Sequence, residues 1–224
     1  MSYAKASDDT TGSDFSAVDE LDVDRDAAAA QVLCLLDGAP IIVRPIRPDD
    51  AAELARAYAR LSERSRRRRF LSVADPLPTA ELRYLTSVDH DSQQALVAID
   101  ANSGAIVGSA RYWRLPGRSG DAELALEVID DWQRRGVGRT LLEALTVLAR
   151  VNGVERFIAI VSAENGPAQR GLQRAGARCE AYGGDVEYEL DVEALARLAA
   201  QRETLSRACC SGRQGRSNAL CRRG

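Results

Sequence analysis

The pattern of hydrophobic positions along the chain changes several times between a period of two and a period near 3.6. Short runs rich in β-branched and aliphatic residues predict seven strands. These predicted strands span residues 41–44, 94–100, 105–113, 122–129, 157–161, 176–182 and 186–190. The run at 157–161 is uninterrupted and apolar, as expected of a strand that is covered on both faces. Folded structure is therefore expected to begin at Ile41.

Between these runs, apolar residues recur at helical spacing. The predicted helices span residues 51–61, 62–70, 79–87, 138–151, 166–175 and 192–205. In the helix over 138–151, the predicted buried side chains are Leu141, Leu142, Leu145, Val147 and Leu148. Strands interleaved with helices predict an α/β fold with a mixed central sheet.

Both ends of the chain lack this periodicity. Residues 1–25 are rich in Asp, Ser and Thr, and residues 207–224 contain three cysteines and several arginines, so we expect both segments to be disordered. Residues 26–37 fit either a short helix or a strand that caps the domain. The predicted organisation is an acidic tail over 1–37, one domain over 38–206 and a basic tail over 207–224.

The 224 residues carry a net charge of -3, which argues against a general nucleic-acid-binding protein. The charge is unevenly distributed, because residues 1–40 contain nine acidic and two basic side chains. The N-terminus has no basic and then apolar stretch of the kind that forms a signal peptide. No apolar run approaches the roughly 20 residues that span a bilayer. We therefore expect a cytoplasmic protein with no membrane partner.

The cysteine and histidine content argues against a metal site. The five cysteines form no C-x-x-C pair, and His90 is the sole histidine, whereas a structural zinc site needs four closely spaced nitrogen or sulfur ligands. We expect reduced thiols in the cytoplasm. Cys179 lies in a predicted strand and is expected to be part of the core.

The segment with the clearest chemistry is QRRGVG, residues 133–138, between a predicted strand and an amphipathic helix. Its glycines allow a tight turn, and the free N–H groups at the helix start form an anion site that suits a pyrophosphate. Arg134, Arg135 and Arg139 would add positive charge. The segment is neither a Walker loop nor a dinucleotide fingerprint. A tight strand-to-helix turn without a ligand is the alternative at this point.

With its surroundings, this segment resembles the acyl-CoA-binding motif Q/R-x-x-G-x-G/A of the GCN5-related N-acetyltransferases (GNAT). The preceding strand AELALEVIDDW, the later segment from Asn165 to Gly176 and the opening IIVRPIRPDDAAEL are also similar to that family. Segments such as LSERSRRRRF and AIVGSARY resemble the catalytic domain of bacterial protein lysine acetyltransferases. The resemblance covers about residues 40–190. It implies a GNAT fold, in which two strands of the mixed sheet splay apart between flanking helices.

The resemblance also implies a site and a reaction, the direct attack of an amine on the thioester of acetyl-CoA. The implied general base is Glu123, with Glu127 as the second candidate; the alternative is that both are solvated strand residues. The implied cofactor-binding residues are Leu126, Val128, Gln133, Arg134, Arg135, Gly136, Val137, Gly138, Arg139, Thr140 and Asn165. The alternative for Asn165 is a simple helix cap. Many family members place a tyrosine where this chain has Leu172, so no general acid is named.

Several acceptors and functions remain open from the sequence. A protein lysine is the first candidate acceptor, for instance on an acyl-CoA synthetase, and a small-molecule amine is the second. A CoA-sensing or scaffold domain without turnover is a third interpretation. Nucleic-acid binding through the arginines of residues 64–69 and the C-terminal tail conflicts with the acidic composition. No metal is expected, and a homodimer is compatible with the sequence.

Overall fold

The computed structural model describes residues 30–70, 77–182 and 184–202. Its centre is one eight-stranded sheet in the order β1-β2-β3-β4-β5-β6-β8-β7. The strands are β1 Gln31–Cys34, β2 Pro40–Pro45, β3 Gln93–Asp100, β4 Ile106–Leu115, β5 Arg118–Val128, β6 Arg156–Ser162, β7 Arg178–Tyr182 and β8 Asp185–Asp191. Strands β5 and β6 run parallel, and the other neighbouring pairs run antiparallel. The predicted mixed α/β sheet is confirmed.

Helices cover both faces of this sheet. They are α1 Ala51–Ala59, α2 Glu63–Phe70, α3 Thr79–Thr86, α4 Val137–Val151, α5 Gly166–Arg174 and α6 over residues 192–202. Gly108 of β4 faces α4, because a Cβ atom there would lie 3.3 Å from side-chain atoms of Leu141 and Val137. Arg111 lies on the other face of β4, where its Nη2 donates to the carbonyl oxygen of Leu85 in α3 at 2.7 Å. Helices α3 and α4 therefore lie on opposite faces.

The sheet begins ten residues earlier than expected. Gln31–Cys34 forms the edge strand β1, which pairs with β2 from Gln31↔Val43 to Cys34↔Pro40. Leu35, directly after β1, is buried. Of the two alternatives for residues 26–37, the strand is therefore the one adopted over 31–34. The predicted disordered tails fall largely on residues 1–29 and 203–224, which lie outside the described residues.

Two predicted core positions are wrong. Val147 of α4 is 46% exposed, because it is two residues from the buried Leu145 and so lies about 200° around the helix from it. Cys179 is exposed on β7, the last strand of the sheet. The other four predicted buried residues of α4 are buried.

An ion pair joins the end of β2 to the turn that precedes α1. Both guanidinium Nη atoms of Arg44 donate to the carboxylate of Asp50, at 2.6 and 2.7 Å, and the backbone N–H of Arg47 donates at 2.8 Å. Burial alone would raise the pKa of Asp50, but these hydrogen bonds and charges outweigh it and hold the pKa below its usual range. The pair therefore stabilises the folded state while Asp50 is ionised.

Replacing Asp50 by asparagine should lower the free energy of unfolding at pH 7 by about 1–3 kcal/mol, because charge-assisted hydrogen bonds are lost. A carboxyl with a lowered folded pKa contributes its stability above the unfolded pKa, near 4, and loses it as the pH falls through the folded value. Urea denaturation should therefore show a difference between the wild type and Asp50→Asn that shrinks below pH 4. Asp49→Asn, at the neighbouring exposed position, is the control. If Asp50→Asn lowered the free energy of unfolding equally at pH 7 and below pH 4, the stabilisation could not come from the ionised carboxylate of Asp50.

Candidate functional site

A gap opens in the sheet between β5 and β6. Within these strands, pairing is limited to Asp121↔Arg156, Ala122↔Phe157 and Glu123↔Ile158, although β5 continues to Val128. Over the rest of β5, pairing to β4 stays regular up to Gly108↔Val128. One side of the second half of β5 is therefore left open. This is the splayed strand pair that the family resemblance implies.

The backbone of β5 directs polar groups into this gap. The N–H of Ile129 donates to Val107 on the β4 side at 3.0 Å, and the carbonyl of Gly120 accepts from Glu155 on the opposite side at 2.8 Å. Successive strand residues direct their backbone groups alternately to the two sides. The N–H and C=O groups of Leu126 and Val128 therefore face the gap. The carbonyl of Val128 accepts from Gln133, and an extended ligand can pair with the other groups as an added strand.

The QRRGVG loop connects this strand to α4. A short 3-10 helix, Asp130–Trp132, precedes the loop, and Gly136 is the N-cap residue of α4, at φ +105°. Such a φ favours glycine, because a Cβ atom would be strained there. The first intrahelical bond is donated by the N–H of Thr140 to Gly136, at 3.0 Å. The preceding N–H groups of Val137, Gly138 and Arg139 form the first turn, which has no side-chain cap and no acidic residue. This first turn suits an anion.

Gly138 brings this helix end into close contact with β5. A Cβ atom on Gly138 would lie 3.3 Å from Cδ2 of Leu126 and 3.6 Å from Cγ2 of Val128. The first turn of α4 and the open backbone of β5 are therefore held against one another. A ligand with a phosphate end and an extended arm can contact both.

Several side chains of the loop are engaged within the protein. Gln133 Nε2 donates to the carbonyl oxygen of Val128 at 3.1 Å and to Asp130 Oδ1 at 3.0 Å. Arg139 forms an ion pair with Glu143 at 3.8 Å. Arg134 is in the left-handed region at φ 62°. The glycine spacing thus shapes the backbone of the loop, and Gln133 secures the loop to the end of β5.

Glu123 and Glu127 lie on the same face of β5, as predicted. They are opposite Trp113 and Ser109 of β4 respectively, and the hydroxyl of Ser109 donates to the carboxylate of Glu127. Glu127 also lines a cavity of ≈ 20 Å³, enough for about one water molecule. The other lining residues are mainly apolar side chains of α1, α3 and the adjoining loops, among them Leu54, Tyr58, Leu61, Leu77 and Leu85.

Asn165 is a helix cap in this structure. Its Oδ1 accepts a hydrogen bond from the backbone N–H of Ala168 at 3.3 Å and so caps α5. Leu172 of the same helix packs against the core. Tyr188 is buried in β8, opposite Ala159 of β6, and burial raises its pKa.

Asp130 is a site residue that the sequence analysis missed. Its carboxylate accepts from the N–H of Ser62 at 2.5 Å and from Oγ of Ser65 at 2.6 Å, in addition to Gln133. Burial would raise the pKa of Asp130, but these bonds outweigh it and lower the pKa. Asp130 thus ties the start of the arginine-rich helix α2 to the loop. No local spacing could reveal a contact across 68 residues.

Within residues 30–70, 77–182 and 184–202, no group of three or more Cys, His, Asp or Glu side chains is arranged to hold a metal ion. None of the helices in the same ranges has the length and apolar character needed to cross a bilayer.

Comparison with known proteins gives consistent matches. The model of the family described as an acetyltransferase (GNAT) domain matches residues 41–178. The chain is 35% identical to acetyltransferase Pat of Mycolicibacterium smegmatis over 135 residues, which is 60% of this chain and 40% of Pat. It is 31% identical to acetyltransferase PA5475 of Pseudomonas aeruginosa over 131 residues, 58% of this chain and 70% of that protein.

A solved structure also matches. The crystal structure of the GNAT domain of S. lividans PAT matches with a TM-score of 0.69 and 30% identity, over 72% of this chain and 96% of that domain. The chain therefore spans nearly all of one relative's domain but less than half the length of Pat.

Proposed function

Because this chain belongs to the GNAT family of N-acetyltransferases, we propose that it transfers the acetyl group of acetyl-CoA to a primary amine, with a protein lysine as the acceptor. The observation that carries the proposal is the gap between β5 and β6, which opens beside the first turn of α4. In this proposal the N–H groups of Val137, Gly138 and Arg139 bind the pyrophosphate. The backbone of Leu126 and Val128 pairs with the pantetheine arm.

The proposed general base is Glu123, with Glu127 as the second candidate. A primary amine attacks a thioester only after it has lost a proton, and a carboxylate can accept that proton directly or through a water molecule. Glu123 belongs to the last residue pair before β5 and β6 diverge, so it lies where the gap begins. Glu127 lies four residues further along the open part of the strand. Backbone N–H groups that face the gap can stabilise the developing oxyanion.

A protein lysine is proposed as the acceptor because segments of the chain resemble bacterial protein lysine acetyltransferases. The cavity beside Glu127, at ≈ 20 Å³, has room for about one water molecule, through which this carboxylate can accept a proton. The names of the relatives do not identify an acceptor. A small amine remains the alternative, and the expected cytoplasmic location stays a prediction.

The first experiment is a calorimetric titration of the protein with acetyl-CoA, followed by incubation with a lysine-rich protein or a small polyamine. We expect micromolar binding and new acetyl-lysine, detected by mass spectrometry, on the protein acceptor. Transfer only to the polyamine would favour the small-amine alternative. Tight binding without transfer to any acceptor would favour a CoA-sensing or scaffold function. An absence of acetyl-CoA binding would contradict transfer to a protein lysine, transfer to a small amine and CoA sensing alike.

A further inference from the structure

The turn between β1 and β2 packs on the QRRGVG loop. Leu35, at the end of β1, is 6% exposed, and its Cδ2 lies 3.9 Å from the position of a Cβ atom on Gly136. Within the turn, the N–H of Leu35 donates to Ala39 and the N–H of Gly38 donates to Leu35, both at 2.9 Å. This turn precedes residues 41–178, the part that the family model matches.

Asp37 in this turn holds Arg135 of the loop. Arg135 Nε donates to Asp37 Oδ2 at 2.6 Å, and the guanidinium carbon of Arg135 lies 4.0 Å from the ring centroid of Trp132. The other carboxylate oxygen of Asp37 accepts from the N–H of Ala39 at 3.0 Å. The bonds from Ala39 and Arg135 lower the pKa of Asp37, so the carboxylate is ionised at neutral pH.

We infer that Asp37 is a positioning residue that competes with the phosphates of acetyl-CoA for Arg135 and so sets the affinity of the loop for its ligand. The inference rests on the proposed function. Asp37 neutralises the one guanidinium of the loop that stacks on Trp132, and its own negative charge lies beside an anion site. A pyrophosphate and a carboxylate that lie beside the same guanidinium repel one another. Binding of the phosphates to Arg135 therefore weakens its ion pair with Asp37, and part of the binding free energy is lost.

The variant Asp37→Asn separates this role from the folding of the turn. Asparagine keeps the oxygen that accepts from Ala39, while its amide nitrogen replaces the oxygen that holds Arg135. Both residues of the pair are partly exposed, at 31% for Arg135 and 42% for Asp37. Because exposed ion pairs are weak, we expect the Kd for CoA and the KM for acetyl-CoA to fall by about twofold to fivefold, with kcat unchanged.

Three comparisons make the test specific. The KM for S-acetylpantetheine, which has the thioester but no phosphates, should be the same in wild type and Asp37→Asn. In an Arg135→Ala background, Asp37→Asn should lower the Kd for CoA by less than it does in the wild type, because only the repulsion between Asp37 and the phosphates is then relieved. Asp91→Asn removes the same charge just before β3. It lies at the end of β3 opposite Asp100, which pairs with Ile41 beside the turn, and should leave the Kd unchanged.

The outcomes distinguish this inference from the proposed function. Failure of the wild type to bind acetyl-CoA would overturn the proposed function and the inference together. If the wild type binds, an unchanged or higher Kd in Asp37→Asn would overturn the inference alone. An equal change of KM with S-acetylpantetheine would also overturn it, because the turn would then act through the fold and not through the phosphates.

Discussion

Replacing Glu123 by glutamine is expected to reduce kcat for acetyl transfer by about 10²–10⁴-fold at neutral pH and to leave the Kd for acetyl-CoA unchanged. The amide is nearly the same size as the carboxylate but cannot accept the proton of an alkylammonium. Because Glu123 pairs through its backbone with Trp113 and Ile158, the strand should be preserved. Steady-state kinetics and calorimetry on the same preparation measure the two quantities.

The pH dependence of the variant provides a second measurement. If Glu123 removes the proton, the rate of Glu123→Gln should rise steadily with pH towards the pKa of a free lysine, near 10.4, because hydroxide then produces the neutral amine. Glu180→Gln, at an exposed position of strand β7, is the control that alters charge away from the gap. Full activity of Glu123→Gln would refute the assignment. A large loss of kcat in Glu127→Gln, with none in Glu123→Gln, would instead identify Glu127 as the general base.

The parts of the fold that were predicted correctly are those that local periodicity determines. Strands β3 to β6 and helix α4 have uninterrupted patterns, and the glycine spacing of residues 136–138 marks a sharp turn between a strand and a helix. The splayed pair was expected only through the resemblance to a family. Pairing that stops after Glu123↔Ile158 leaves no trace in the hydrophobic pattern of either strand.

The errors have identifiable physical causes. Apolar character alone predicts Val147 in the core, although its angular position in α4 is on the outer side, like that of Val151 four residues later. Strand β1 has only four residues and a mostly exposed pattern, so its pairing with β2 decides its structure. The contact of Asp37 with Arg135 spans 98 residues, and no local pattern could indicate it.

Gly138 carries the second large expected effect. A valine there would place its Cβ atom 3.3 Å from Leu126 and 3.6 Å from Val128, and its two methyl groups would need space that the packed interface lacks. Either the side chains of Leu126 and Val128 would have to shift or the first turn of α4 would move away from β5, and we expect the helix to move. Because hydrogen bonds to a charged ligand each contribute about 1.5–3 kcal/mol, loss of one or two of them should raise the Kd for acetyl-CoA about 10- to 100-fold or more.

The same substitution should cost about 1–3 kcal/mol of folding stability through overpacking, so stability must be measured beside affinity. Gly171→Val is the matched control, because Gly171 lies inside α5 and a Cβ atom there meets nothing within 4 Å. This control should bind acetyl-CoA with wild-type affinity. If folded Gly138→Val also bound like the wild type, the glycine segment would be only a tight turn. The phosphates would then have to be held by side chains and not by the N–H groups of the helix.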